Sequence, residues 1–307
     1  MAYPYNAPLH RFAMFTACST LLLVVAGALV TSNDAGLAVP DWPLSYGSLM
    51  PPMVGGIFYE HGHRMVATFV GLLTIALAVW LQLREPRRWV RRLGWVALAA
   101  VITQGVLGGL TVLFFLPRPI SILHASLAQL FFCTTVSIAV FTSRWWMSEI
   151  EQRRGPVSDE VRNVAVATAA VVFIQLVLGA AFRHRAVGIL PHILWAFVVL
   201  GFSVALSHKV RGNFPDVTAL RKPVALLAAL VGTQLLLGLA AYWSRLVAAE
   251  FPQPIPMMVG FTVAHVAVGA MTLGAAVVAA LCSFRVLPPV TRAGHTAPAG
   301  AWQGSES

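Results

Sequence analysis

The 307-residue chain has few charged residues and few cysteines. Only 10% of its residues are Asp, Glu, Lys or Arg, whereas a soluble domain has about 25%. So few charges do not cover the surface of a soluble protein of this size, which excludes a soluble globular fold, a disordered chain and a coiled coil. The three cysteines, Cys18, Cys133 and Cys282, each lie inside an apolar run. This placement argues against a disulfide framework and against a cysteine metal site.

Long apolar runs fill the chain instead. Hydrophobic residues make up 58% of it, and the mean hydropathy is +0.77. A bilayer core requires about 20 apolar residues in a helix, and the runs lack the alternation of a transmembrane barrel. We therefore predict an all-α polytopic membrane protein. Its eight predicted transmembrane helices are residues 12–31, 63–83, 93–115, 120–142, 164–182, 187–207, 224–247 and 257–281.

Acidic residues are scarce: 11 against 21 basic ones, with a net charge of +10. If the N-terminus is inside, 16 of the 21 basic residues fall on the cytoplasmic side of the predicted helices and five on the outer side. The positive-inside rule then predicts that both termini are cytoplasmic. Topology explains the basic charge, so we expect no nucleic-acid partner. We expect the first apolar run to be a helix that is retained, because Ser32-Asn33-Asp34 rather than a small-residue cleavage site follows it.

The two halves of the chain resemble each other weakly. Thr103-Gln104 and Leu107-Gly108 in the third predicted helix match Thr233-Gln234 and Leu237-Gly238 in the seventh. Since four helices per half preserve the orientation, we predict two tandem pseudo-repeated four-helix bundles. The predicted domains are 1–142, a 143–163 cytoplasmic linker, 164–285, and a 286–307 tail that is rich in Pro, Ala, Gly and Thr and predicted to be disordered.

Four histidines occupy matching places in the even-numbered helices. His63, His124, His192 and His265 all lie in the first third of their helices, near the outer leaflet. Ionisable groups in membrane helices usually face the bundle interior. For any single histidine, a hydrogen bond between helices is a sufficient explanation of its presence in a membrane helix. Two imidazoles that face each other across a four-helix bundle are typical of bis-His haem ligation, and zinc is disfavoured because it requires three or four N/S ligands.

Charged residues cluster beside these histidines. Glu60 and His63 are three residues apart, so they share a helix face. Glu60 is a candidate proton acceptor or donor, although a carboxylate near a helix start also favours the helix dipole. Haem propionates are anionic and bind arginine. The candidates for that role, which are equally suited to interfacial anchoring, are Arg64, Arg183, Arg185 and Arg245.

These motifs together resemble the haem A synthase family over roughly residues 9–285. The motifs that carry the resemblance are Gly36-Leu37 with Pro40-Asp41-Trp42-Pro43, Glu60-x-x-His63-Arg64, Gln104-Gly105-x-Leu107-Gly108-Gly109-Leu110-Thr111-Val112, His124, Gly179-Ala180-x-x-Arg183-His184, His192 and His265. Members of the family are eight-span enzymes that convert haem O to haem A.

The resemblance implies a role for each half. It implies that His192 and His265 hold a low-spin haem b cofactor, and that the substrate haem O binds near His63 and His124. It implies that Glu60 takes part in oxidising the C8 methyl group to a formyl group by successive hydroxylations, which gives haem A for terminal oxidases. The implied location is the bacterial inner membrane. A haem O synthase partner and a homo-oligomeric state stay open, and the electron-transfer partner is unknown.

One departure and two alternatives accompany the resemblance. Some bacterial members have a cysteine pair in the first outer loop, but here Val39 and Ser45 flank the Pro-Asp-Trp motif. A thiol or disulfide role in this loop is therefore excluded. The alternative function is a di-haem b-type electron-transfer subunit, which uses the same histidines and does not need Glu60. A transporter is disfavoured, because its charged groups would lie near the bilayer midplane.

Overall fold

The structure of the chain, a computed structural model, describes residues 5–153, 155 and 157–288. These residues form eight helices that are long and apolar enough to cross a membrane, and they form no β-sheet. The predicted all-α membrane fold is thus confirmed. The long helices are α1 (Ala7–Ser32), α2 (Gly55–Arg84), α3 (Arg88–Leu113), α4 (Arg118–Thr142), α6 (Ser158–Arg183), α7 (Leu190–Asn213), α8 (Thr218–Val247) and α9 (Pro256–Val286). A single-turn helix, α5 (Arg144–Met147), lies between the halves.

The long helices form two closed rings. In the first ring α1, α2, α3 and α4 each pack against the next helix, and α4 packs back against α1; α6, α7, α8 and α9 form the second ring in the same way. In a ring of antiparallel neighbours, alternate helices are diagonally opposite. Helix α2 therefore faces α4, and α7 faces α9. This arrangement is compatible with the predicted tandem pseudo-repeat.

Four connections lie on one face of the molecule, which we call the outer face after the predicted topology. They are residues 33–54, 114–117, 184–189 and 248–255. The first of these, which we call the outer loop, folds back over the first ring. The indole of Trp42 lies against Gly109 of α3, and the main chain of Val39 is hydrogen-bonded to α2.

Seven of the eight long helices begin earlier than the sequence predicts, and for α2 and α6 the added turns carry buried polar residues. Helix α2 begins at Gly55 rather than at residue 63, and α6 begins at Ser158 rather than at residue 164. The added turns carry polar side chains that protein buries: Glu60 is 4% exposed and Arg162 is 7% exposed. Hydropathy alone does not detect such turns, because they lie outside the apolar run. Of the tail predicted to be disordered, residues 289–307 lie outside the described residues.

The two rings meet along α1 and α4 on one side and α6 and α9 on the other. Helix α9 is the most buried of the eight and is rich in small residues at this contact. Small residues let membrane helices approach closely. Gly274 lies against the ring of Phe132 across this contact, and Gly269 lies against Leu176 within the second ring. At the face opposite the outer face, buried Arg162 donates to the carbonyl oxygen of Leu287 at 2.7 Å, which ties α6 to the end of α9.

Candidate functional site

The closest pair of predicted ligands lies in the second ring. His192 on α7 and His265 on α9 face each other with ring centroids 6.2 Å apart and ring planes at 82°. Two imidazoles that ligate one metal ion from opposite sides have centroids about 6 Å apart, since each metal–nitrogen bond is about 2 Å long. The spacing of this pair therefore fits one iron atom between two axial ligands.

The second predicted pair lies at the corresponding place in the first ring. His63 is on α2 and His124 is on the diagonal helix α4, near enough for their charges to interact. No ring contact joins these two side chains in the part of the chain that the structure describes, unlike the pair in the second ring. The structure thus brings the histidines together in two pairs, one in each ring.

The environment of the four imidazoles suits haem better than zinc. Each Nδ1 atom is buried and has no hydrogen-bond partner, whereas Nε2 of His192 lies 3.4 Å from the side-chain amide nitrogen of Gln175. Among the described residues, no group of three or more His, Cys, Asp and Glu is placed to hold a metal ion. Two facing histidines without further ligands suit the axial positions of a haem.

Glu60 lies at the junction of α2 and the outer loop. Its Oε1 accepts from Nη2 of Arg64 at 2.7 Å, and its Oε2 accepts from the main-chain N–H of Val39 at 2.8 Å. These two hydrogen bonds hold the carboxylate in one orientation. The carboxylate lies one helical turn nearer the outer face than His63. Glu60 and His63 both lie in α2 and are three residues apart, so they share a helix face, as the sequence predicts.

Arg64 fastens the outer loop to α2. Its Nη1 donates to the carbonyl oxygens of Asp41 and Leu44, at 2.8 Å each, and it lies 3.3 Å from Oγ of Ser45. The guanidinium proposed for propionate binding is therefore already engaged by the loop. Asp41 in turn accepts from the N–H groups of Tyr46 and Gly47, and the bond from Gly47 is the main reason that the pKa of Asp41 is lowered.

His61 is a buried polar residue that the sequence does not mark as part of the site. It is 6% exposed inside α2. Its Nδ1 lies 2.8 Å from Oγ of Ser45, and its Nε2 is buried without a partner. Ser45 thus contacts both His61 and Arg64.

The other predicted arginines lie on the outer face beside the second ring. Arg183 donates to the carbonyl oxygen of Thr31 and pairs with Asp34 at 3.4 Å, so it links the two rings. Arg185 and Arg245 are exposed, and both repel Arg183 electrostatically. The guanidinium of Arg245 lies 6.0 Å from the ring centroid of Phe182. The three arginines form a positive cluster that suits an anionic group.

Glycines that contact the histidines are the part of the site that the sequence analysis missed. Each of the four imidazoles lies against a glycine of the preceding long helix. A signal was present, because Gln-x-x-x-Gly occurs at residues 104–108, 175–179 and 234–238. The first and last of these are also the pair that indicates the internal repeat.

Comparison with known proteins shows a similarity to one family over part of the chain. Residues 53–191 match the model of the COX15-CtaA family, described as cytochrome oxidase assembly protein. The matched region includes Glu60, His63 and His124, and it ends just before His192. The predicted resemblance is therefore confirmed.

Several curated relatives carry one name, "Heme A synthase". The protein of Symbiobacterium thermophilum is 31% identical over 181 residues, which are 57% of this chain and 59% of that protein. That of Alkalihalophilus pseudofirmus is 31% identical over 137 residues, 43% of this chain and 46% of that protein. That of Shouchella clausii is 29% identical over 181 residues, 57% of this chain and 59% of that protein. The matches thus cover less than two thirds of these relatives.

Proposed function

We propose that this chain is a haem A synthase, a membrane oxidoreductase that oxidises the C8 methyl group of haem O to a formyl group by successive hydroxylations. The observation that carries the proposal is the combination of two diagonal histidine pairs with Glu60, which lies one turn from His63. The name shared by the relatives supports it. A di-haem electron-transfer subunit would give no role to the buried Glu60–Arg64 pair, so it is not favoured.

The second ring is the cofactor half in this proposal, and His192 and His265 would be the axial ligands of haem b. When bound, haem b supplies one-electron redox chemistry. The chain orients the two imidazoles and keeps their Nδ1 atoms away from water. The neighbouring cluster of Arg183, Arg185 and Arg245 would receive the propionates, with Asp34 limiting the net positive charge.

The first ring is the substrate half, where His63 and His124 would hold haem O. Glu60 would accept protons released from the C8 substituent and stabilise positive charge that develops there. Arg64 pairs with Oε1 of this carboxylate. A proton would arrive at Oε2, which accepts from the N–H of Val39 and has a second lone pair.

The same proposal covers the cellular setting. The chain would be a multi-pass protein of the bacterial inner membrane with both termini in the cytoplasm. Residues 1–142 and 164–285 would act as the substrate and cofactor domains, with 143–163 as linker and 286–307 as tail. Membrane lipid would surround the helices. The proposal is compatible with a haem O synthase that supplies the substrate and with a homo-oligomeric state.

Replacement of Glu60 tests the catalytic assignment. Glu60→Gln retains the side-chain shape and an acceptor for Val39 but removes the charge. We expect haem A formation to fall by about 100-fold or more, the usual contribution of general acid–base catalysis. Haem O or a hydroxylated intermediate should accumulate, and haem b should remain bound in the other ring. The measurement is haem extraction and chromatography after expression with a haem O source.

Glu85→Gln is the matched control. Glu85 is also buried, at 5% exposed, and it also pairs with an arginine at 2.7 Å, but at the opposite end of α2. Its variant should make haem A at the rate of the wild-type protein per folded chain. Unchanged haem A formation by Glu60→Gln, or equal losses in both variants, would contradict a catalytic role for Glu60.

A further inference from the structure

Each of the four histidines rests against a glycine on the long helix that precedes its own. A Cβ atom built on the glycine would lie 3.0 to 3.4 Å from Cε1 of the facing imidazole, which is closer than most real Cβ contacts. The pairs are Gly27 with His63 at 3.2 Å, Gly108 with His124 at 3.4 Å, Gly179 with His192 at 3.0 Å, and Gly238 with His265 at 3.1 Å. A larger residue at these positions would therefore displace or rotate the ring.

Other glycines of the same rings do not share this contact. A Cβ atom built on Gly71, Gly105, Gly201 or Gly232 would meet no atom within 4 Å. Gly105 and Gly232 lie on the same helices as Gly108 and Gly238. The close approach is thus a property of the position that faces the imidazole and not of glycine in these helices generally.

Three of the four glycines have a glutamine one turn earlier on the same helix. The side-chain amide of each glutamine donates to the main-chain carbonyl oxygen of the histidine that faces the glycine. The bonds are Gln104 to His124 at 2.9 Å, Gln175 to His192 at 3.0 Å, and Gln234 to His265 at 2.8 Å. Each bond fixes the height of the histidine helix relative to its neighbour.

The exception is the helix pair that contains His63, formed by α1 and α2. Leu23 occupies the place of the glutamine, four residues before Gly27. The α2 helix is tied instead to the outer loop, through Glu60 to Val39 and through Arg64 to Asp41. The position of His63 therefore depends on the conformation of the outer loop, whereas the other three histidines depend on contacts between helices.

We propose that these glycines and glutamines are positioning residues, in which the glycine sets the plane of each imidazole, the glutamine sets its height, and the outer loop replaces the glutamine for His63. The proposal rests on the proposed function, since it assigns the imidazoles to haem. The unit of two neighbouring helices, with a glycine that contacts a histidine, occurs in both rings. Only His63, the histidine next to Glu60, is positioned by the outer loop instead of by a glutamine.

Substitution of Gly238 tests the glycine contact. The readout is the low-spin ferric EPR spectrum of the purified full-length protein, because near-perpendicular imidazole planes, here 82°, give a strongly anisotropic signal. Gly238→Ala should rotate His265, shift the g values and lower the haem b content per chain. Gly232→Ala, on the same helix, should give the wild-type spectrum. Identical spectra and haem contents for the two variants would overturn the proposal.

Gln234→Leu provides a second variant should Gly238→Ala not fold. Leucine has nearly the same length but has no amide to donate to His265, so we expect a shifted or heterogeneous EPR signal and a changed midpoint potential. A wild-type spectrum and potential would contradict the positioning role of the glutamine.

Replacement of Ser45 tests the loop's control of His63. Ser45→Ala removes a hydroxyl that contacts Arg64 and His61. It should lower haem A formation and leave the haem b EPR signal unchanged, and Leu23→Gln in the same chain should restore part of the loss by supplying the missing bond. Full activity of Ser45→Ala, or no restoration, would overturn this part. Wild-type protein that binds haem b without making haem A would refute the proposed function alone.

Discussion

At the scale of single residues, the two histidine pairs differ in geometry although they lie at corresponding places. His192 and His265 are 6.2 Å apart by ring centroid, a distance that suits one shared iron atom. His63 and His124 have no such ring contact. The ring contact between His192 and His265 is what the proposed axial ligands of a bound cofactor require.

Alanine in place of either histidine of this pair should abolish the bis-His signal. His192→Ala or His265→Ala removes one axial ligand, and we expect loss of the low-spin haem b spectrum from the purified protein. His208→Ala is the control, since His208 lies on α7 near the opposite end from His192. Retention of a full low-spin spectrum by both ligand variants would show that the ligands are misassigned.

The sequence predicts the chemically distinctive residues of the site but not the residues that hold them. Four histidines at one depth are visible because ionisable groups are rare in apolar helices. Gly179 and Gly238 are not visible in this way, because glycine is common in membrane helices and its meaning depends on which residue faces it. Similarly, the bond from Val39 to Glu60 joins residues 21 positions apart through a main-chain atom, which no side-chain pattern indicates.

At the scale of elements, the outer loop and the start of α2 form one unit. The structure places the indole of Trp42 against Gly109 of α3. A Cβ atom on Gly109 would lie 2.7 Å from the indole. The loop therefore covers the substrate ring because one position in α3 has no side chain.

Substitution of Gly109 should displace the loop. Gly109→Val would force Trp42 away from α3, at a cost of about 1–3 kcal/mol as for other overpacked contacts. We expect faster proteolysis within residues 33–54 and reduced haem A formation, with haem b unchanged in the second ring. Gly105→Val, which meets no atom, should behave as the wild-type protein does. Equal proteolysis rates in the two variants would contradict the loop contact.

The helix centres follow from hydropathy, whereas the helix ends do not. All eight apolar runs are helices in the structure, because backbone groups in lipid require internal hydrogen bonds. The first turns of α2 extend to Gly55 because Glu60 and His61 are buried by the outer loop rather than by lipid. Such burial depends on tertiary contacts that are distant in the sequence.

At the scale of the whole molecule, the distribution of basic residues predicts the orientation. Labelling of single introduced cysteines tests it in intact cells with a membrane-impermeant maleimide. Leu49→Cys is suitable in the outer loop because Leu49 is 83% exposed, whereas Ser45 is 1% exposed. We expect Leu49→Cys to react in intact cells, and Asp216→Cys, between α7 and α8, to react only after permeabilisation. The reverse pattern would contradict the predicted topology.

The two rings are joined by one interface. Helix α1 contacts α9, and α4 contacts both α6 and α9; Arg183 of the second ring bonds to Thr31 and Asp34 of the first. In the proposed function, this interface would hold the cofactor half against the substrate half, so that electrons removed from the substrate would pass through protein to the other haem.

Haem analysis of the purified full-length protein, after expression with a haem O source, tests most directly whether the chain converts haem O to haem A. We expect a low-spin haem b that stays with the protein, together with haem A in the extract. Haem A should be absent when haem O is not supplied. Bound haem b with no haem A, although haem O is present, would contradict the proposed function.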